Sequence, residues 1–333
     1  MKYALLKHTQ ENLGLVNIGD HIQSCAAEQF LPQTDFFVDR ERLNTIGYDI
    51  AKIIMNGWFT DSPENWPPNP NLIPFFISFH MQPSSAKIIL RKKENVDYLK
   101  KHSPIGCRDY KTLELLQEKG IDSYFSFCLT TTLGKNYKTN KKTNEIYLVD
   151  LLYSYDRSIL SKIKLRHALK QFSLRKLKKL KDFFNPKARI EDFIPDEVIS
   201  KGIVVNHYVS SELSNEKLYK IAKTYIKNYS SAKLVITSRI HCALPCLALG
   251  TPVLFLMEGL TDESLHMSRF RGILDHINIL TNQTKEEFEK HFGSKMNVYS
   301  PSEIDWDNPP QNPKTFEPLS RKLIERCEKF IKS

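Results

Sequence analysis

Arg239 and His241 stand two apart in TSRIHCALPCLALG, directly after the apolar run LVIT. A buried strand passing into a helix at this point leaves the first helical N–H groups without intrahelical partners, at the positive end of the helix dipole. If the chain stays extended from Thr237 to His241, residues two apart share a face. Arg239 and His241 then point the same way, with Ile240 turned into the core. A planar guanidinium, an imidazole and a helix N-terminus at one spot make an anion site that can also move a proton. The alternative is an arginine paired with a core-edge carboxylate and a histidine capping backbone, and spacing alone does not choose between the two.

Other residues carry compatible chemistry. Arg108 in GCRDYKT precedes a helix whose natural N-cap is Asp109, so it is either a second cationic donor or a surface arginine beside a cap. Asp20 occupies the expected N-cap position before HIQSCAAEQFL, where a carboxylate either caps or acts as a base. His207 in VVNHY follows a strand and either faces a cleft or is satisfied at the strand end. Trp58 and Trp66 flank DSPENWPPNPN and either stack on a sugar ring or pack as an aromatic wall. Cys242 and Cys246 share a helix face, but no second pair matches them, so buried thiols and no metal site are expected.

Taken together, these blocks resemble the polysaccharide pyruvyl transferase family. TSRIHCALPCLALGTPVLFL is similar to its C-terminal signature, Ser-Arg-x-His followed by a helix and Gly-Thr-Pro. PIGCRDYKTLELLQEKGIDSYFSFCLTTTL, residues 104–133, resembles its central Cys-Arg-Asp-x-x-Thr block, VNIGD its N-terminal Gly-Asp loop, and NGWFTDSPENWPPNPN also fits. The resemblance runs from residue 14 to about 272. Two positions depart from it: Phe127 stands where a glycine is expected before Cys-Leu-Thr, and Val16 where a glycine is common.

The resemblance implies a GT-B-like fold of two domains facing a cleft. It also implies transfer of pyruvate from phosphoenolpyruvate to two sugar hydroxyls, leaving a cyclic ketal. Carried onto this chain, Arg239, Arg108, Ser238 and His207 bind the donor. His241 is the acid that protonates the methylene carbon or the departing phosphate, and Asp20 is the candidate base. Asn17, Trp58 and Trp66 lie on the acceptor side. No cofactor is implied, phosphoenolpyruvate being the donor substrate, and the acceptor is a glycan or lipid-linked oligosaccharide of surface-polysaccharide synthesis. Two other classes share features. A glycosyltransferase using a sugar nucleotide has the same fold and helix-terminus anion site, with Glu258 placed for a ribose. A non-catalytic glycan-binding protein would lose the Arg-x-His pair, which this chain retains.

The elements that must hold these residues are legible as α/β. YALLK, AKIIMNGWF, LIPFFISFHM and EIYLVDLLY read as strands, whereas AKIIL is strand or helix. DYKTLELLQEKG reads as a helix closed by Gly120, with a strand following. In Ser214–Tyr229, Leu218, Ile221, Ala222, Tyr225 and Tyr229 recur at helical spacing. GIVVNHY, this helix, LVIT, the next helix and TPVLFL then alternate as a parallel sheet requires. The expected architecture is two Rossmann-like parallel-sheet domains. Residues 1–155 form the acceptor-side domain, with helix 314–333 packing back on it through Leu319, Leu323, Cys327 and Phe330. Residues 156–199 form a basic helical connection, and 200–313 the donor-side domain.

With 333 residues and 41% hydrophobic content, the chain can bury a sizeable core. Its net charge of +10 is local: residues 157–189 hold twelve Lys or Arg against one acid, leaving −1 for the remainder. A nucleic-acid coat usually spreads basic residues over a docking face; here the charge is one block, which points to a local partner and not to nucleic acid. The block suits either a solvated face or peripheral contact with anionic lipid. The N-terminus MKYALLKHTQENLG has no long apolar core and no run approaches membrane-spanning length, so a cytoplasmic protein is expected, peripheral at the inner membrane face where the basic block meets lipid. Scattered cysteines without Cys-x-x-Cys agree with a reducing compartment.

Overall fold

The computed structural model describes residues 1–9, 14–152, 188–260 and 267–333. The first half of the chain supplies β1 (Lys2–Lys7), β2 (Leu15–Asn17), α1 (Ile18–Glu28), β3 (Phe36–Asp39), β4 (Ala51–Phe59) and β5 (Leu72–Met81). It continues with α2 (Pro83–Ile89), α3 (Lys93–Lys101), β6 (Ile105–Cys107), α4 (Tyr110–Gln117), β7 (Ser123–Phe125) and the single turn α5 (Gly134–Tyr137). The second half supplies β8 (Ile146–Val149), α6 (Asp196–Lys201), β9 (Ile203–Val205), β10 (Tyr208–Ser210), α7 (Asn215–Ser231) and β11 (Leu234–Thr237). It ends with α8 (Ile240–Leu249), β12 (Val253–Leu256), β13 (Asn278–Leu280), α9 (Lys285–Phe292), β14 (Asn297–Tyr299) and α10 (Glu317–Lys332).

Two six-stranded parallel sheets result, ordered β3-β1-β4-β5-β6-β7 and β14-β13-β12-β11-β8-β9. Strands such as LVIT and VLFL are buried at every residue, as parallel strands covered on both faces must be. AKIIL is resolved as helix, because Pro83 opens α2 at a position where its missing N–H costs nothing. β8 pairs with β11 and β9, so the crossing to the second sheet precedes residue 146 and the boundary expected at 155 moves earlier. Most of the basic connection, residues 153–187, lies outside the described residues; 190–201 add a 3₁₀ turn and α6.

A two-stranded antiparallel ribbon, β2 with β10, ties the halves together and sets Val16 opposite Val209. Val16 is therefore an extended, buried strand residue rather than a turn residue, which accounts for the absence of glycine there. Ile18 donates its N–H to the His207 carbonyl at 2.7 Å, fixing where α1 begins. Asn17 is consequently the N-cap, accepting from the Gly19 N–H at 3.0 Å, and Asp20 lies inside the first turn instead of capping it. α1 is buried along almost its whole length in an apolar cluster shared with α7, α8 and α10. The Tyr219 hydroxyl crosses this layer to the Leu6 carbonyl at 2.6 Å. α10 lies against the first half: Leu323 and Cys327 are buried, Phe330 stacks on Phe75 at 4.9 Å, and Ser320 donates to the Thr131 carbonyl. Lys52 donates to the Phe330 carbonyl, satisfying a helix end that would otherwise lack a partner.

Candidate functional site

The chemistry-bearing residues collect where parallel sheets place ligands, beyond the carboxyl ends of their strands. β6 ends at Cys107, and Arg108 follows with its N–H on the Phe79 carbonyl. Asp109 caps α4 through the Thr112 N–H at 2.9 Å and meets His80 Nδ1 at 2.6 Å. Burial alone would raise this carboxyl, but His80, Arg108 and the Thr112 N–H outweigh it and hold it below its ordinary value. Arg108 is 1% exposed. Its Nη1 lies 3.1 Å from His241 Nε2 and 3.4 Å from Gln23 Oε1. Its Nε is 3.8 Å from Asp109 and makes no hydrogen bond.

Because a guanidinium only donates, His241 Nε2 must present its lone pair to Arg108, so the ring is neutral with its proton on Nδ1. The environment agrees: burial first, then the Arg108 charge, pushes the His241 imidazole well below its usual range. Burial also lowers Arg108 itself, against the pull of Asp109.

The contacts continue into the first half. Gln23 Nε2 donates to Asp20 Oδ1 at 3.0 Å, and Asp20 Oδ2 lies 3.4 Å from Arg40 Nη1. Arg40 Nε donates to Glu41 at 2.8 Å, and its guanidinium sits 4.8 Å above the Trp58 ring. Glu41 also accepts from the Thr60 hydroxyl and from the Asp61 and Ser62 N–H groups. The close approach of Gln23 to β4 depends on Gly57. At φ +96° a side chain there would be strained, and an added Cβ would stand 2.8 Å from Gln23 Oε1, so the Gln23 amide would have to move away. A continuous polar chain thus runs His241–Arg108–Gln23–Asp20–Arg40–Glu41.

The expected pairing of Arg239 with His241 on one face is not what the structure has. The strand stops at Thr237, Arg239 is the extended N-cap, and α8 begins at Ile240, so His241 already turns with the helix. The two side chains diverge. His241 meets Arg108, while Arg239 Nε donates to Asp150 Oδ2 at 2.7 Å and its guanidinium lies over the Tyr208 ring. No side chain caps the start of α8. Asp150 also accepts the His207 N–H at 3.2 Å. His207 Nε2 meets the Tyr229 hydroxyl at 2.9 Å, and its buried Nδ1, without a hydrogen-bond partner, faces the first turn of α1 at Gly19.

Of the residues singled out in sequence, Asn17, Asp20, Arg108, His207 and His241 are therefore brought together, and Trp58 joins them through Arg40. Ser238 is used internally: it donates to the Leu256 carbonyl and accepts from the Leu152 N–H. Trp66 is not on the acceptor side; it is buried among Phe59, Phe76, Phe79 and Tyr98 in the core of the first half, because the Pro-rich loop folds back over β4 and β5. Among the described residues no group of His, Cys, Asp or Glu has the arrangement of a metal site. Cys242 and Cys246 are buried and free.

Sequence reasoning missed Gln23, Arg40, Glu41, His80 and Asp150. Asp150 carried a usable signal, as a carboxylate one residue past the apolar run IYLV. Arg40 in VDRER and Gln23 inside an apolar helix carried none. Phe127, the departure from the expected glycine, has φ +68° and is wholly buried, with its ring 4.8 Å from His276. That position has the left-handed backbone a glycine adopts freely, and here a phenylalanine is held in it.

One family model, Polysaccharide pyruvyl transferase, matches residues 17–258, which include every element of the polar chain described above. No curated protein matches the chain. Among the described residues no helix is long and apolar enough to cross a membrane.

Proposed function

The chain belongs to the polysaccharide pyruvyl transferase family, and from that premise we propose that it moves pyruvate from phosphoenolpyruvate onto a sugar diol, closing a ketal and releasing phosphate. The observation that carries the reading is the buried Arg108–His241 contact at 3.1 Å, a fixed cation against a proton-carrying group at the junction of the two sheets. Phosphoenolpyruvate needs both: guanidinium donors for its anionic ends and a proton for its methylene carbon. Arg108 binds one anionic end. Arg239, oriented by Asp150 and Tyr208, binds the other beside the uncapped start of α8.

The bookkeeping of the reaction is simple. The methylene carbon gains one proton, and the carbon bearing the phosphate ester gains two sugar oxygens. The bond to phosphate breaks, and the two hydroxyl protons end on the methyl group and on phosphate. His241 enters neutral, becomes protonated as the donor anion settles, and delivers that proton to the methylene carbon. Asp20, held between Gln23 and Arg40, accepts the proton of the attacking hydroxyl. Trp58, backed by Arg40, offers a ring for the acceptor sugar. The acceptor we propose is a glycan or lipid-linked oligosaccharide, with the basic segment 157–189 resting on anionic lipid.

The test is ligand-dependent stabilisation followed by turnover. Phosphoenolpyruvate should raise the melting temperature, and phosphate should be released when acceptor is added. Stabilisation by uridine nucleotides but not by phosphoenolpyruvate would overturn the reading in favour of sugar-nucleotide glycosyl transfer. Replacing Lys176, Lys178, Lys179 and Lys181 by Gln should lower activity on acceptor in anionic vesicles and spare activity on a soluble sugar. Equal vesicle activity of parent and variant removes the membrane role.

A further inference from the structure

Asp109 divides its two oxygens. Oδ1 closes the start of α4, taking the Thr112 N–H at 2.9 Å and the Thr112 hydroxyl at 3.0 Å. Oδ2 meets His80 Nδ1 at 2.6 Å and lies 3.8 Å from Arg108 Nε. A cap needs only the first oxygen; the second is given to an imidazole. Met81, the residue after His80, donates its N–H to the Thr112 hydroxyl at 3.2 Å, so the backbone carrying the ring is fixed to the same helix end.

The proton positions follow from these contacts. Against burial, His80, Arg108 and the Thr112 N–H keep the Asp109 carboxyl ionised. A carboxylate only accepts, so the proton between the two belongs to His80 Nδ1. Burial, partly offset by Asp109 and reinforced by Arg108, lowers the His80 imidazole below its usual range, and the ring is neutral. Its lone pair is then on Nε2, the nitrogen that neither Asp109 nor Thr112 uses. A neutral imidazole held at Nδ1 by a carboxylate is built to take a proton at Nε2.

The strand register places that ring. His80 is next to last in β5 and is registered opposite Trp58, next to last in β4. Registered residues of neighbouring strands share a face, so His80 stands beside Trp58, the one residue of β4 that is not fully buried. Trp58 also meets Arg40, which leads to Asp20. His80 is joined to His241 as well, through Asp109 Oδ2 and then Arg108, whose Nη1 meets the second imidazole. Closing a ketal forms two carbon–oxygen bonds and removes two hydroxyl protons, and Asp20 accounts for one.

We propose that His80, oriented by Asp109, is the second general base of the reaction, taking the proton of one acceptor hydroxyl while Asp20 takes the other. This role rests on the pyruvyl transfer proposed above. The proton on His80 leaves with phosphate when the bond between the reacting carbon and the phosphate oxygen breaks. The proton on Asp20 replaces the one His241 gave to the methylene carbon, so all three groups return to their starting states. Asp109 touches the ring and not the substrate, and is a positioning residue.

The test compares the parent, His80→Gln and Asp109→Asn. His80→Gln can still donate to Asp109 but offers no base, so it should bind phosphoenolpyruvate as the parent does by calorimetry. Its phosphate release with acceptor should fall by about 10²–10⁴. Asp109→Asn keeps the cap and the volume, and its amide N–H now faces His80 Nδ1. Ring-nitrogen NMR should show the His80 proton moved from Nδ1 to Nε2, and turnover should fall by a comparable factor, a link that a merely structural role would not produce. This variant decides the matter where His80→Gln disturbs the fold. Parental turnover in His80→Gln, or in Asp109→Asn with the proton moved, overturns the base and leaves the donor reading intact. A parent that neither binds phosphoenolpyruvate nor releases phosphate from it overturns the donor reading, and the base with it.

Discussion

Binding of phosphoenolpyruvate is expected to draw a proton onto His241. In the empty site burial and then Arg108 hold the imidazole well below its usual range, and Arg108 donates to its Nε2. A bound anion offers Arg108 a better acceptor and brings negative charge to the ring, so both changes favour the imidazolium. Each unit by which binding raises this pKa corresponds to about 1.4 kcal/mol of coupling between proton and donor. Below the free-site pKa, His241 is protonated with or without donor and affinity does not depend on it. Between the free and bound values only the complex carries the proton, so affinity weakens as pH rises, by up to about tenfold per unit. Above the bound value the dependence ends.

Calorimetry in two buffers of different ionisation enthalpy counts the proton directly and should find up to one taken up per donor near neutral pH. The donor's own phosphate titrates near pH ~6 and adds a slope, which His241→Gln isolates because that variant retains only the phosphate contribution. Arg108→Gln should raise the free-site pKa and narrow the window. A parent whose pH dependence matches that of His241→Gln would refute the reasoning, since the proton would then have gone elsewhere.

Three further outcomes are expected. His241→Gln should bind donor with modest loss while turnover falls by about 10²–10⁴, whereas Arg239→Lys, which keeps charge but loses the fork on Asp150, should lose about 1.5–3 kcal/mol of donor binding; binding calorimetry and phosphate-release kinetics separate the two. Phe127→Ala should cost about 3–5 kcal/mol for the buried ring, and Phe127→Gly no more than that, because relief of the left-handed strain, about 1–2 kcal/mol, offsets the entropy penalty of glycine; denaturant midpoints showing Gly clearly below Ala contradict the strain. Burial lowers His21 to about 4, so between the unfolded value of ~6.5 and 4 only the unfolded chain binds this proton and stability falls with pH, by on the order of 3 kcal/mol over that window. His21→Gln, measured by urea unfolding at pH 7 and 5, should flatten the loss.

The sheets were legible because buried parallel strands are long apolar runs bounded by polar turns, and LVIT, TPVLFL and LIPFFISFHM all have that form. The ribbon of β2 and β10 was not. Each strand is three residues long, and only the other, nearly two hundred positions away, gives it a partner. The error at Asp20 follows from the same cause. The start of α1 is set by the Ile18 N–H on the His207 carbonyl, a tertiary contact invisible in local sequence. At the Arg-x-His motif the residue types were informative, but their shared direction depended on two residues of strand that the chain does not have. His241 was identified by chemistry, and its partner Arg108 by resemblance. The residues joining them to Asp20 and Trp58, Gln23 and Arg40, have no pattern of their own, since each matters only for what it touches.

That connecting chain bears on how the two substrates are kept in step. Arg40 and Arg108 are both fully buried, and each retains a guanidinium N–H without a hydrogen-bond partner, Nη2 of Arg40 and Nε of Arg108. An unmet charged donor of this kind costs about 1–3 kcal/mol or more, and apolar side chains of similar volume would often serve stability as well or better. The burial is therefore better explained by what each arginine waits for than by what it holds. Gln23 stands between them, its Oε1 toward Arg108 and its Nε2 on Asp20, so an anion that recruits Arg108 loosens one end of the amide and leaves the other to Asp20. The carboxylate proposed as base is then poised by the same residue that senses the donor. On the roles proposed for Arg108 and Asp20, Gly57 serves catalysis although it bears no functional group, because it makes room for the Gln23 amide that touches both.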